Sequence, residues 1–432
     1  MEAFVLFFVF ALLLLLGTPI AVCLGISSIL SMLVLGAGRP VSVVLGTVPQ
    51  LVSAATSKSV LLAIPFFILG GNIMEKSGIS GKLINLAESC VGHLKGGVAM
   101  VCVIVACFFA AISGSGPATV AALGLILIPA MVKVGYDAPF AAALMATAGA
   151  IGVIIPPSIT FVVYGSISDT SIGDLFISGV LPGLLMGAAL IIITLWLGRK
   201  SDLKRLPRCT GAQRWKAFKG AFWGLLMPVI ILGGIYGGIF TPTEAAAVSA
   251  VYGLVIGVFV YRTIKLKQFI KILIDTASTT ATVMFITAAA TLFAYVLTRA
   301  RIDVAISGLL TDVAGGNKII FLLIVNVVLL LAGCFLDSTS ALYIFTPLFV
   351  PVAQALGMSM VHFGTIMIVN LAIGLVTPPV GINLYVACRV ADLPVAELCK
   401  KIIPFLVTGL IALLIITYIP ALTMFIPNMV SG

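Results

Sequence analysis

Charged side chains are scarce in this chain. Asp, Glu, Lys and Arg make up 9% of its 432 residues, against roughly 25% in soluble globular chains, which excludes a soluble protein. His occurs only twice, as His93 and His362, with no HExxH and no third ligand nearby, so both read as interfacial side chains and not as a metal site. The eight cysteines include no CxxC pair and lie scattered, most of them in or beside apolar runs, which favours free thiols packed among helices over a redox or disulfide role. GxSxG, Walker A and glycine-rich dinucleotide motifs are missing too. With no nucleophile and base pair and no metal cluster, an enzyme has little to work with, and ATP-driven transport by this chain alone has no support.

What is abundant is apolar sequence. Hydrophobic residues make up 61%, and stretches free of charge cover 3–38, 96–132, 138–168, 175–198, 220–243, 276–298, 338–388 and 402–432. One crossing needs about 20 apolar residues, so there is room for about ten, with nothing left over for a soluble domain. The first stretch lacks the basic start and small-residue cleavage site of a signal peptide and reads as retained membrane helix. The net charge of +10 gathers in short segments between apolar runs; it marks orientation and does not point to nucleic acid.

Sliding the sequence over itself exposes an internal repeat at an offset of 222 residues. Pro129 falls on Pro351, Gly135 on Gly357, Ala150-Ile151-Gly152 on Ala372-Ile373-Gly374, Pro156-Pro157 on Pro378-Pro379 and Pro182 on Pro404. Pro and Gly dictate backbone geometry, so two halves that bend in the same places predict a transporter built from structural repeats. A weaker echo at 223 sets Thr18-Pro19 on Thr241-Pro242. The units are 1–198 (first repeat), 199–219 (basic connector) and 220–432 (second repeat).

Within each unit, one stretch is too long for a single crossing. Residues 96–132 as one helix would reach about 55 Å, against about 30 Å of hydrocarbon, and its middle reads Ser113-Gly114-Ser115-Gly116-Pro117. A glycine-serine break followed by a proline suited to a helix start predicts a re-entrant hairpin. Its counterpart, 319–354, breaks at Asp337-Ser338-Thr339-Ser340, with Asp337 opposite Ser115 and able to cap the second arm. The other peculiar stretch in each unit is a helix broken by paired prolines: 138–168 around Gly152 to Ser158, and 361–391 around Gly374 to Gly381. Proline frees a carbonyl one turn back, and such backbone survives at membrane depth only when buried in protein or facing a hydrated cavity or ion. Hairpin tip and broken helix are therefore expected to satisfy one another. Each tip also has its bland reading as a cap plus a turn. Two equivalent tips favour more: half-helix N-termini suit a carboxylate, while free carbonyls and hydroxyls suit sodium. Ser113, Ser115, Gly116 and Thr119 in the first tip, with Ser338, Thr339 and Ser340 in the second, are the candidate substrate-binding residues. Asp337 is the one carboxylate expected near mid-membrane, where an ionisable group is costly, and is either an N-cap or the offset to a cation's charge.

Elsewhere the structural reading prevails or the choice stays open. Thr241-Pro242-Thr243-Glu244 has the spacing of a capping box. Arg299, Arg301 and Asp303 read, in that order of preference, as snorkelling anchors, a docking patch or a substrate-steering pair. Residues 3–35 are either two short spans, 3–16 and 20–35, or one long helix.

The full set of motifs resembles a known family. Gly17-Thr18-Pro19-Ile20-Ala21, Ser113 through Thr119, Ile154-Ile155-Pro156-Pro157-Ser158, Gly238 through Ala245 and Thr377-Pro378-Pro379 together are similar to the large membrane subunit of tripartite ATP-independent periplasmic (TRAP) transporters, over nearly the whole chain. The resemblance implies an all-α polytopic protein of the bacterial inner membrane with an elevator mechanism. It also implies two partners, a small four-helix membrane subunit and a periplasmic substrate-binding protein, and no cofactor beyond sodium as coupling ion. Carried onto this chain, one sodium site would use oxygens of Ser113, Ser115, Gly149, Gly152 and Pro156, and the other those of Asp337, Ser338, Gly374, Thr377 and Pro379. Family substrates are organic acids, either C4-dicarboxylates or sugar acids, with a lean to sialic acid. A self-sufficient sodium and divalent-anion symporter is the nearest rival, with a passive channel and an integral-membrane enzyme behind it.

Orientation can be tested directly. Threading outward from the connector's Arg199, Lys200, Lys204, Arg205, Arg208, Arg214, Lys216 and Lys219 puts 19 basic residues on the cytoplasmic side and leaves Arg39, Lys58, Arg299, Arg301 and Lys318 outside. Five crossings lie between the hairpins, at the first broken helix, 176–198, 218–240, 243–261 and 276–298; an odd number inverts the second repeat. In a cysteine-free background, Gly96→Cys and Gly135→Cys should label only from the cytoplasm, and Gly316→Cys and Gly357→Cys only from outside. Labelling of all four from one face would mean a miscounted span.

Overall fold

The computed structural model describes residues 2–199 and 203–431, and among them every regular element is helical. A helix satisfies its own backbone inside hydrocarbon, as a closed barrel does, and here proline and glycine mark many of the helix ends. α1 (Glu2–Leu15) and α2 (Ile20–Leu35) are separated by a turn in which Gly17 takes φ +77° and the Thr18 hydroxyl caps the Leu13 carbonyl at 2.6 Å. The Ser31 hydroxyl reaches the Glu2 carbonyl at 3.5 Å, so the pair folds back on itself as two short antiparallel helices. The alternative of one long helix is excluded.

α3 (Val41–Leu45), α4 (Thr47–Thr56), α5 (Ala63–Lys76, preceded by a 3-10 turn) and α6 (Ile79–Val91) follow. The predicted hairpins and broken helices then appear within a residue or so of their expected limits. α7 (Gly97–Ser113) and α8 (Gly116–Lys133) form the first hairpin, while α9 (Ala138–Ala150) and α10 (Ile159–Ser168) form the first broken helix. After α11 (Ile172–Gly198) come α12 (Gly211–Tyr236), α13 (Pro242–Val255, running into a π turn) and α14 (Leu266–Arg299). Then come α15 (Ile302–Ala314), the second hairpin α16 (Lys318–Gly333) and α17 (Ser338–Ala355), and the second broken helix α18 (Met360–Gly374) and α19 (Ile382–Ala391). α20 (Val395–Tyr418) and α21 (Ala421–Ser431) end the fold. Both proline pairs contain a cis bond, Pro156-Pro157 and Pro378-Pro379.

Helix ends that sequence had placed by charge are corrected. α12 does not begin at 218: a capping box of Thr210 and Gln213 starts it at Gly211, so Arg214, Lys216 and Lys219 of the 199–219 connector lie on helix. Lys200 falls outside the described residues. α14 begins ten residues before 276 and carries Lys267, Lys271 and Asp275. Long basic side chains in a terminal turn can reach water while their stems pack, so a charge does not end a helix. α15 had no counterpart among the expected spans. At Thr241 the capping box is made in full: the Glu244 amide donates to the Thr241 hydroxyl at 3.3 Å, and the Thr241 amide to the Glu244 carboxylate at 2.8 Å. The glycines chosen for labelling, Gly96, Gly135, Gly316 and Gly357, all hold positive φ, a region costly for cysteine. Their exposed neighbours Lys95, Lys133, Lys318 and Gln354 are the better sites for the same experiment.

Packing follows residue size and crosses between the halves. α5 meets α13 through small residues, and a Cβ on Gly70 would stand 2.9 Å from the Ser249 hydroxyl, the close approach that membrane helices use in place of hydrophobic drive. α8 packs on α9 of its own half and on α19 of the other, while α10 packs on α17. α9 and α18 are almost wholly buried, whereas Phe4, Ile192, Phe285, Leu331 and Ile411 face outward. The hairpins open at opposite ends of α20. Lys401, near its start, pairs with Asp137 at 2.7 Å just beyond the first hairpin, and Tyr418, at its end, donates to the Ile319 carbonyl at 3.3 Å at the mouth of the second.

Candidate transport site

The first tip is built from hydroxyls. Gly114 turns the chain at φ +61°, and the Ser115 carbonyl then accepts three hydrogen bonds: from the Thr119 amide at 3.1 Å, the Thr119 hydroxyl at 2.8 Å and the Ser113 hydroxyl at 3.2 Å. The hydroxyls of Ser113 and Thr119 lie 2.8 Å apart. Against this cluster sits the first break. A Cβ on Gly152 would stand 2.8 Å from Thr119 Oγ1 and 2.9 Å from the Ser115 oxygen, and one on Gly149 would be 3.3 Å from the Gly116 oxygen. At Gly152 a Cβ would press on the Ser115 backbone as well as on Thr119, and at Gly149 it would fall 2.3 Å from the Val120 side chain, so glycine suits both. Six expected residues, Ser113, Ser115, Gly116, Thr119, Gly149 and Gly152, thus converge. Pro156 makes no such approach; the Pro157 oxygen does, lying 2.8 Å from where a Gly114 Cβ would be.

The first break also does more for itself than expected. The hydroxyls of Ser158 and Thr160 donate to the Val153 carbonyl at 2.7 and 3.2 Å, so that oxygen is satisfied without the hairpin. At the second break, direct satisfaction by the hairpin does occur: the Gly381 amide donates to the Cys334 carbonyl at 3.0 Å.

The second tip is a helix cap in full. One Asp337 oxygen accepts from the amides of Thr339 and Ser340 at 3.0 and 3.1 Å, and the other accepts from the Ser340 hydroxyl. Ser338 Oγ is buried with no hydrogen-bond partner. What meets the second break is not Asp337 but the end of the first arm, since a Cβ on Gly374 would lie 2.6 Å from the Gly333 Cα. Thr377 turns its hydroxyl back to the Ile373 carbonyl at 2.8 Å, and Pro379 is exposed. Asp337, Ser338, Thr377 and Pro379 therefore make no hydrogen bond that joins the tip to the break. Sequence reasoning missed Gly333, Cys334, Gly381 and Asn383. The last is the departure from the repeat that was there to be found: the 222-residue offset sets it on Phe161.

Chemically, both regions offer hydroxyl and carbonyl oxygens, ligands for a hard cation. Among the described residues no three of His, Cys, Asp and Glu cluster as a metal site; His362 Nδ1 lies 2.7 Å from the Thr423 hydroxyl. Arg299 lines a cavity of about 200 Å³ with Arg39 and Tyr295, and Asp303 bonds its neighbour's amide and pairs with neither Arg299 nor Arg301 among the described residues.

Comparison with known proteins decides the family. The DctM component of the tripartite ATP-independent periplasmic transporters matches residues 7–422. The chain belongs to that family. The C4-dicarboxylate TRAP transporter large permease protein DctM of Pseudomonas aeruginosa is 46% identical over 368 residues, 85% of this chain and 86% of the relative. The sialic acid TRAP transporter large permease protein SiaM of Vibrio cholerae is 40% identical, covering 86% and 87%. The crystal structure of the Alcanivorax borkumensis YdaH transporter superposes with a TM-score of 0.64 at 18% identity, covering 92% of this chain and 96% of that one, a likeness of fold. The protein is thus a TRAP large permease, a multi-pass inner-membrane transport protein and not an enzyme. Its family works with a small membrane subunit and a periplasmic binding protein.

The Gly333–Gly374 contact gives a sharp expectation. Gly374→Ala should force the hairpin off the break, destabilise the protein by about 1–3 kcal/mol and abolish most uptake. Gly409→Ala, whose Cβ would meet only ordinary contacts, should leave melting and transport near wild type. Equal behaviour of the two variants would show the contact to be dispensable.

Proposed function

We propose that this TRAP permease is the translocating subunit of a sodium-coupled importer for an organic acid anion. The carrying observation is the pair of oxygen-rich regions where a hairpin lies against a broken helix. The hydroxyl and carbonyl oxygens gathered there are of the kind that suits sodium, and the half-helix N-termini of α8 and α17 suit a carboxylate. C4-dicarboxylates are the first substrates to try, because the relative at 46% identity is named for them; sialic acid is second, after the relative at 40%. The two halves act as inverted repeats, a reading supported by hairpin mouths at opposite ends of α20. In the elevator reading, α7–α10 and α16–α19 slide against a frame that includes α5, α13 and α14. Lys58 Nζ to the Ser166 carbonyl at 2.7 Å and Thr287 Oγ1 to Tyr343 Oη at 2.8 Å are then the polar contacts that must part; all four residues line a cavity of about 230 Å³. Substrate arrives on a periplasmic binding protein, and a small four-helix subunit braces the frame.

In proteoliposomes holding both membrane subunits, uptake should require the binding protein and an inward sodium gradient, and should stop when choline replaces sodium. ATP-driven, sodium-independent uptake would overturn the proposal. Asp337→Asn keeps an acceptor for the cap and removes the charge, so the sodium dependence of uptake should weaken while the fold holds. An unchanged sodium dependence would confine Asp337 to capping.

A further inference from the structure

Asn383 is the second residue of α19 and fully buried. Its backbone amide donates to the Leu375 carbonyl at 3.0 Å, which closes the second break. Its side chain crosses to the other half of the chain, where Nδ2 donates to the Ala146 carbonyl of α9 at 3.1 Å. A carbonyl only accepts, so the amide nitrogen must face Ala146 and the amide oxygen must point away. That oxygen has no hydrogen-bond partner. Buried acceptors are nearly always filled, because an unpaired one forfeits its hydration without return.

The amide group lies against the first tip. A Cβ on Gly116, the first residue of α8, would stand 3.2 Å from Asn383 Nδ2, 3.3 Å from Oδ1 and 3.2 Å from the Leu375 side chain, so the unpartnered oxygen borders the start of α8. Gly116 follows directly on Ser115, whose carbonyl gathers the hydroxyls of Ser113 and Thr119. A cation at this tip would also feel the positive end of α8 and so needs a further oxygen dipole from outside the hairpin. Asn383 is placed to supply it.

We propose that Asn383 Oδ1 is an oxygen ligand of the sodium site at the first hairpin tip, contributed by the second half of the chain. The inference rests on the sodium reading above and extends it, since one side chain then ties the closed second break to the ion held at the first tip.

Sodium binding to the full chain purified with its small membrane subunit tests this, by calorimetry or by sodium-dependent melting with potassium as the ionic control. Asn383→Leu, which removes the oxygen, should weaken sodium binding by about tenfold or more. Asn383→Asp keeps an oxygen, adds charge and loses the donor to Ala146; it should bind sodium more tightly, since affinity rises with ligand charge. A residue that only braced α9 would give the opposite result, because both variants lose that donor. Unchanged or weakened sodium binding in Asn383→Asp would therefore overturn the inference, even if Asn383→Leu fails to fold. Wild-type protein that binds no sodium would sink the sodium reading itself, whereas normal wild-type binding with insensitive variants would sink this inference alone.

Discussion

A helix that stops inside a membrane leaves N–H and C=O groups with no partner and no water to supply one, and this chain stops helices there repeatedly. The two proline-broken helices meet that constraint differently. In the first, Ser158 and Thr160 turn their hydroxyls onto the Val153 carbonyl, so the break satisfies itself and the hairpin tip is left with its own hydroxyl cluster. In the second, the Asn383 amide covers Leu375 and the Gly381 amide reaches across to Cys334 of the hairpin. Glycines at Gly149, Gly152, Gly333 and Gly374 then let backbone approach backbone, and the remaining helices pack around the result.

Much of this could be read from residue order because proline and glycine act locally. The repeat match at Pro156-Pro157 and Pro378-Pro379 placed both broken helices, and the serine-glycine run from Ser113 placed the first hairpin, because those residues set the backbone wherever they occur. Charge was a poorer guide. α12 and α14 run through lysines and arginines that had seemed to end them, since a long side chain lets the charge leave while the helix continues. Tertiary contacts were least legible. Thr377 and Pro379 sat in the right motif but face elsewhere, Pro157 does what Pro156 was expected to do, and Asn383 is one polar residue in an apolar run whose role depends on Ala146, distant in sequence.

The likeness between the halves is therefore one of backbone and not of chemistry. Ser115 and Asp337 occupy equivalent places, yet the Ser115 side chain makes no cap bond while the Asp337 carboxylate accepts from two amides and a hydroxyl. Gly152 meets the start of a hairpin's second arm, while Gly374 meets the end of a first arm. Proline and glycine stand at matched places in the two halves, while the polar groups beside them differ.

The crossed packing of α8 on α19 and α10 on α17 also bears on how the protein is made. The first hairpin is complete at Lys133, but its partner α19 begins only at Ile382, about 250 residues later. At the usual pace of synthesis that is a delay on the order of tens of seconds. Through that interval the hairpin has α9 of its own half to pack on, while the face that α19 covers stays open until the second half arrives.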